Sequence, residues 1–397
     1  MREDSCTEIR IGDLGEVFTG RTPSTEYPAY FGNDFPFITP GDMRQGKYAR
    51  ATDRSVSHEG AELLKRIRLP ANSVCVSCIG WQMGETIMTD RPSFTNQQIN
   101  TIVPNSKVEP SFLYYSLRPR KQELLALGAT TGVRTPILNK SAFSDLKVKI
   151  PPLPVQRRIA GILSAYDELM ENSQRRIRLL EAMARALYRE CIREDGDSTS
   201  VKGILETDYW TFISANVSPY GGTKRYYATA DIEGLAVQGA GIDYTFAEKP
   251  SRAQKQPTPF SLWFARMKDT YKIAWYSEVN AQSADSTILS SGFAGFQAVE
   301  PLYFPLLFLT VSSKEFHAQK DLYCTGATQM SLTNEGLSII EVPAPTKRAA
   351  RRLGERTLPL LNQILVLQLR IQNLRRTRDL LLPRLLSGQV SLAVNGT

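Results

Sequence analysis

Residues 157–180, RRIAGILSAYDELMENSQRRIRLL, return at residues 351–374 as RRLGERTLPLLNQILVLQLRIQNL, displaced by 194 positions without a gap. Arg157, Arg158 and Ile159 fall on Arg351, Arg352 and Leu353; Arg176 and Ile177 fall on Arg370 and Ile371; Leu180 falls on Leu374. Upstream the same offset sets TGV at Thr131 against TGA at Thr325, Leu138 against Leu332, Val148 against Val342 and Pro151 against Pro345. Self-similarity at a fixed spacing marks a duplicated unit.

Both copies carry a heptad rhythm. Steps of four and three give Ile159, Leu163, Tyr166, Met170, Ser173, Ile177, Leu180, Ala184, Leu187 and Cys191 in the first. In the second they give Leu353, Thr357, Leu360, Ile364, Leu367, Ile371, Leu374, Arg378, Leu381 and Leu385. Only Ser173, Thr357 and Arg378 break the two stripes. Such spacing keeps one face toward a partner helix, the coiled-coil condition. It predicts two paired helices of roughly 34 residues, each about 50 Å long, in preference to two amphipathic helices in separate cores. IPPLPVQ and VPAPTK lead into them as rigid extended entries. Pro359 and Pro383 lie inside the second copy and are expected to kink or interrupt it. REDGDSTS, residues 193–200, reads as a helix end and hinge.

The segments outside the helices read as short alternating runs, such as SVCVSCI, QINTIVP, FSLWFARM and YKIAWYS, divided by Gly, Pro and Asn turns. That pattern predicts an α+β fold with two strand-rich domains. The expected boundaries are 1–150 for the first, 151–195 for the first helix, 196–342 for the second domain and 343–397 for the second helix. The two domains share little sequence beyond traces such as ITPGDM against ATADIE.

Charge is concentrated. Residues 347–386 hold ten Lys or Arg against Glu355 and Asp379, a surplus equal to the +8 of the whole chain. A basic stripe of this kind fits a polyanion or an acidic partner surface. With 42% hydrophobic and 22% charged residues, wholesale disorder is excluded. The start, MREDSCTEIR, has no apolar leader core, and the apolar run PLYFPLLFLTV is too short and proline-broken to span a bilayer. Five cysteines give no disulfide framework, so a reducing cytoplasm is the expected setting.

Catalytic motifs are absent from the sequence. There is no phosphate-binding GxxxxGK, no GxGxxG after a strand, and no Asn or Asp followed by Pro-Pro and an aromatic to grip a methylation target. His58 and His317 are the two histidines, far apart in sequence, so a triad or zinc cluster is poorly supplied. The CxxC of Cys75 and Cys78 lies in a strand-like run without a second pair and reads as buried small residues.

The chain resembles the specificity subunit of type I restriction–modification systems. The resemblance rests on TTGVRTPILNKSAFSDLKVKIPPLPVQRRIAGIL, NSQRRIRLLEAMARALYRE and LRRTRDLLLPRLLSGQV, with ITPGDM and NQQINTIVP beside them. The second helix departs from the pattern in RRLGERTLPLLNQILV, which contains Pro359. The resemblance implies two target-recognition domains, each reading one half of a split sequence in double-stranded DNA. It implies two antiparallel spacer helices with a pseudo-two-fold repeat, which fix the gap and dock two modification subunits. It further implies a non-catalytic chain that binds no cofactor of its own, acting in a bacterial or archaeal cytoplasm. S-adenosylmethionine would belong to the adenine-methylating modification subunits, and ATP and Mg to the restriction subunits that translocate and cut.

Base reading draws on Arg and Lys for guanine, Asn and Gln for adenine, and Thr methyls for thymine. Candidates in the first head are Arg21, Arg44, Gln45, Lys47, Trp81, Gln82, Gln97, Gln98 and Arg134. In the second they are Lys224, Arg225, Tyr226, Arg252, Lys255, Gln256, Lys268 and Gln329, many of them expected to be plain surface residues. Trp210, Trp263 and Trp275 are expected in the core. The rival readings are an autonomous DNA-modifying enzyme and a coiled-coil scaffold without a nucleic-acid role.

Overall fold

The computed structural model describes residues 6–129, 135–194, 200–327 and 329–390. The chain forms two compact units, one of residues 1–172 with 372–397 and the other of residues 173–371. The central helix, Leu153–Glu194, and the C-terminal helix, Lys347–Leu386, each give one part to each unit. At 42 and 40 residues both helices exceed the expected length.

The C-terminal helix continues through Pro359 and Pro383, so of the expected kink or interruption the interruption does not occur. Both prolines are exposed, while Leu361, Leu382 and Leu385 nearby are buried. Burying those leucines, at about 1.5–3 kcal/mol each, offsets much of the roughly 3 kcal/mol that each helical proline costs. At the start of the central helix Pro154 occupies the first turn, where a missing donor removes no helical bond.

Among the described residues unit 1 holds β1 (Thr7–Arg10), β2 (Gly15–Thr19), β3 (Phe31–Ile38), β4 (Arg54–Val56), β5 (Val74–Ser77), β6 (Thr86–Met88), β7 (Phe94–Thr95), β8 (Ile99–Pro104) and β9 (Lys147–Ile150). An antiparallel sheet has the order β2-β8-β5-β6, and a smaller one the order β4-β3-β7, with β3 and β7 parallel. The strands β1 and β9 pair antiparallel.

Unit 2 holds β10 (Ser200–Gly203), β11 (Trp210–Phe212), β12 (Lys224–Tyr227), β13 (Ile232–Glu233), β14 (Ala236–Val237), β15 (Ile242–Tyr244), β16 (Ala253–Lys255), β17 (Ser261–Ala265), β18 (Ile273–Trp275), β19 (Thr287–Ser290), β20 (Phe293–Ala298), β21 (Cys324–Thr325), β22 (Ser331–Leu332) and β23 (Glu341–Ala344). Its antiparallel sheet has the order β11-β20-β17-β18, the same first–fourth–second–third sequence as in unit 1. The strand β12 pairs antiparallel with β15 and parallel with β19, as β3 does with β4 and β7. The pair β10–β23 matches β1–β9. Unit 2 also holds β16 at the edge of β19 and the pairs β13–β14 and β21–β22.

Short helices repeat as well: Pro110–Leu117 against Phe304–Val311, Lys121–Ala129 against Lys314–Leu322, and Lys140–Asp145 against Asn334–Ile339. The trace shared by ITPGDM and ATADIE is a turn closure. Asp42 accepts from the Thr39 amide and Asp231 from the Ala228 amide, both at 2.8 Å. The duplication therefore extends through the heads, where the strands are too short to carry it in sequence.

Candidate nucleic-acid interface

In unit 1 the strand order gathers three loops at one end of the sheet. Thr19, the last residue of β2, pairs with Asn100, and Ser77, the last of β5, pairs with Ile99 at the start of β8. The loops after β2, after β5 and before β8 therefore share a rim. They carry Arg21, then Trp81 and Gln82, then Gln97 and Gln98. Backbone bonds lock them together: Gly20 N–H donates to Ile99 O at 3.1 Å and Cys78 N–H to Gln98 O at 2.8 Å. The Thr22 hydroxyl donates to Gln97 Oε1 at 2.8 Å.

The loop between β5 and β6 is tightly built. Gly80 and Gly84 have φ of +85° and +87°, the left-handed region that favours glycine. A Cβ on Gly84 would also come within 2.6 Å of Lys121 Cα. Gly84 N–H donates to Ser77 O, Met83 N–H to Gly80 O, and Gly80 N–H to Pro136 O. Met83 is fully buried beneath the loop, and Glu85 at its exit bonds Lys121 Nζ at 2.6 Å. Arg44 reaches the same carboxylate at 3.9 Å. Trp81 stands at the tip, 78% exposed.

Unit 2 repeats the arrangement. Phe212 of β11 pairs with Phe296, and Ala265 of β17 with Phe293 at the start of β20, so the loops after β11, after β17 and before β20 meet. Arg266 N–H donates to Gly292 O, and Ser291 N–H to Arg252 O. Arg252 is exposed there, Lys268 is half-buried, and Lys268 N–H bonds Met330 O beside exposed Gln329. Lys255 Nζ donates to Ser214 O at 3.0 Å and to Asn216 Oδ1 at 3.1 Å. Burial and the nearby Arg266 hold its pKa below the usual lysine range.

Other sequence candidates are placed differently. Lys224, Arg225, Tyr226 and Gln256 sit toward the opposite end of the β12–β19 pair, where Arg225 faces Thr287. Lys224 Nζ donates to Gln256 Oε1 at 2.7 Å, and Arg225 grips Asp243 through two bonds of 2.7 and 2.6 Å. The Tyr226 ring packs edge-on against Tyr244. Gln45 donates to Ala51 O. Gln82 is half-buried with its Oε1 inside. Arg134 lies outside the described residues. Sequence reasoning did not single out Lys121, Asn216 or Arg266, which brace the rims. Nothing local marks them, since their partners come from distant loops.

Lys47 points at the helices. Its Nζ donates to Ser164 Oγ at 2.8 Å and to Ser111 Oγ at 2.9 Å. Burial lowers its pKa, opposed by Asp167, Glu168 and Glu109. Beside it Tyr115 Oη donates to Asp167 Oδ2 at 2.5 Å, and the Arg378 guanidinium forms a short ion pair with the other oxygen of Asp167. Arg378 also holds Asp379 at 2.7 Å, and these carboxylates keep its pKa raised despite burial. The charge that breaks the second stripe is thus turned inward.

Within unit 1 the start of the central helix lies against the end of the C-terminal one, with Ile159, Ala160 and Leu163 sharing a core with Leu382 and Leu385. Within unit 2 Arg356 bonds Glu190 and Arg352 bonds Glu194. Four residues forward on one helix match four backward on the other, so they run antiparallel. Tyr166, Ile177, Leu180, Leu187, Leu360, Ile371, Leu374 and Leu381 are half-buried; Met170, Leu353, Ile364 and Leu367 are buried. Cys75 and Cys78 are buried, and burial pushes both thiols up to about 12, unsuited to thiolate chemistry. Among the described residues no helix is long and apolar enough to cross a membrane.

Residues 3–182 match the family described as type I restriction modification DNA specificity domain. The HindI specificity subunit of Haemophilus influenzae is 35% identical over 176 residues, which is 43% of this chain and 38% of that protein. The MjaIX specificity subunit of Methanocaldococcus jannaschii is 28% identical over 182 residues, 45% of this chain and 42% of that protein. The matched stretch therefore spans less than half the length of these relatives. The crystal structure of a type I restriction–modification S subunit from M. genitalium shares the fold, with a TM-score of 0.61 at 15% identity over 97% of both chains. Residues 3–182 are thus similar to the type I restriction modification DNA specificity domain, on a chain that shares the fold of an S subunit over nearly its whole length.

Proposed function

We propose that this chain is the non-catalytic, sequence-reading subunit of a type I restriction–modification assembly. Each unit reads one half of a split target in double-stranded DNA through its loop rim. The observation that carries this reading is the repeated topology: the same strand order builds the same rim in both units, edged with cationic and amide side chains. Rim residues suited to base edges are Arg21 and Gln97 in unit 1 and Arg252 and Gln329 in unit 2. Lys47 and the pairs Lys224–Gln256 and Arg225–Asp243 serve packing instead, since their hydrogen-bonding groups are already engaged.

The helices set the gap and dock two modification subunits, which hold S-adenosylmethionine and methylate adenine. Restriction subunits add ATP and Mg chemistry. The setting is a bacterial or archaeal cytoplasm. Selection of bound duplexes from a random pool by the chain with its modification subunits tests this directly. Two fixed blocks separated by an unread gap are expected; one continuous block, or no enrichment, rejects the reading. Without partners, methyl transfer or cleavage by the chain would reject the non-catalytic role.

A further inference from the structure

Trp81 is the most exposed of the large hydrophobic side chains described, and it stands on a loop that cannot fold it away. Two left-handed glycines, three backbone bonds and the buried Met83 fix the loop, so the indole is held out in a defined place. The other three tryptophans, Trp210, Trp263 and Trp275, are at most 4% exposed. An indole left in water at the tip of a rigid loop gains nothing for folding. The loops that share its rim carry exposed Arg21 and Gln97, and two residues before it Ile79 bridges Ile137, which is 37% exposed. Cations and amides on the same rim as an exposed aromatic ring fit a polyanion with flat apolar faces, which is a nucleic acid.

We propose that Trp81 is a stacking residue. Its indole packs on the face of a base at an opened step in the half-site read by unit 1, while Arg21 and Gln97 engage backbone and base edges alongside. This rests on the DNA-reading role proposed above and adds to it a mode of contact: a wedge that works through the stack rather than through hydrogen bonds. Binding by unit 1 therefore distorts its half-site locally, and duplexes already loosened at that step by a mismatch bind more tightly.

The test uses the full chain assembled with its modification subunits, wild type and Trp81→Phe, with tryptophan emission quenched by acrylamide. The difference between the two assemblies isolates Trp81. With target duplex present, that signal is expected to become several-fold less quenchable. Trp81→Ala should weaken duplex binding by about tenfold, and Trp81→Phe should retain most of the affinity. Tight binding with Trp81 still fully quenchable, or an alanine variant that binds as wild type does, overturns the stacking role while leaving DNA reading intact. Shielding on addition of the modification subunits before DNA also overturns it, by making Trp81 a protein contact. An assembly that binds no duplex at all overturns both this inference and the proposed function.

Discussion

The two ends of the helix pair solve one packing problem with opposite chemistry. In unit 1 Asp167 and Arg378 face each other in the seam, their side chains 11% and 5% exposed. The 194-residue offset carries these positions to Leu361 and Ala184 of unit 2, both 0% exposed and in one apolar core. An apolar seam tolerates sliding, because one leucine replaces another. A buried ion pair does not, because a slip strands two charges in a medium that solvates neither. The difference teaches that the duplicated halves divide their duties: unit 2 supplies apolar adhesion, and the Asp167–Arg378 pair fixes which residue meets which.

The sharpest way to break that contrast is Arg378→Ala. It leaves Asp167 buried with its Tyr115 hydrogen bond but without its ion-pair partner, and should cost unit 1 about 3–5 kcal/mol in denaturant unfolding. Copying the other end, with Asp167→Leu and Arg378→Ala together, should recover most of that loss. Distances measured between spin labels on the two helices should then spread into more than one register. A double variant as unstable as the single one, or one with a single sharp distance, contradicts the assignment.

A second contrast is Gln156, 1% exposed, against its counterpart Ala350, 0% exposed. Gln156 donates to Pro151 O at 2.8 Å and accepts from Glu109 N–H at 2.8 Å, tying the helix start to unit 1. Gln156→Ala should destabilise unit 1 by about 1–3 kcal/mol, the usual result of orphaning buried backbone groups. Hydrogen exchange should locate the loss at residues 107–110, and unchanged protection there would remove the role.

The histidines sharpen the comparison through pH. His58 of unit 1 is exposed beside Asp34, whereas His317 of unit 2 packs on Tyr271 and Phe316. Burial, helped by Lys320, lowers the His317 pKa to about 4. An unfolded histidine titrates near about 6.5, so the unfolded state takes the proton first as pH falls. Unit 2 should therefore lose stability between about pH 6.5 and 4, and His317→Leu should flatten that slope. An unaltered slope assigns it to the carboxylates. The smallest effect belongs to Arg356→Ala. Its pairing with Glu190 at 3.3 Å is solvent-exposed, and its removal should cost less than about 1 kcal/mol by the same unfolding measurement.

How much of this was legible follows from the range of the interactions. The heptad stripes were readable because helical burial repeats locally, and every seam position from Ile159 to Cys191 and from Leu353 to Leu385 is buried or half-buried. Even the breaks obey it. Ser173 is inside, and Thr357 returns its hydroxyl to Leu353 O at 2.6 Å. The sense of Arg378 was not readable, since Asp167 lies 211 positions away. The matching sheets were hidden because strands of two to eight residues repeat a path, not a pattern. Of the base-reading candidates, Arg21, Trp81 and Arg252 are exposed on the rims. Lys47 turned inward because Ser111 and Ser164, neither near it in sequence, come together beneath it.

The central claim is that two like heads on one chain read two unlike half-sites. Adenine methylation mapped across the genome, in cells holding the modification subunits with and without this chain, tests it most directly. A split motif that disappears with the chain is the expected result, with exchange of residues 15–129 altering one half of the motif and sparing the other. An unsplit motif, or methylation that persists without the chain, would contradict the account.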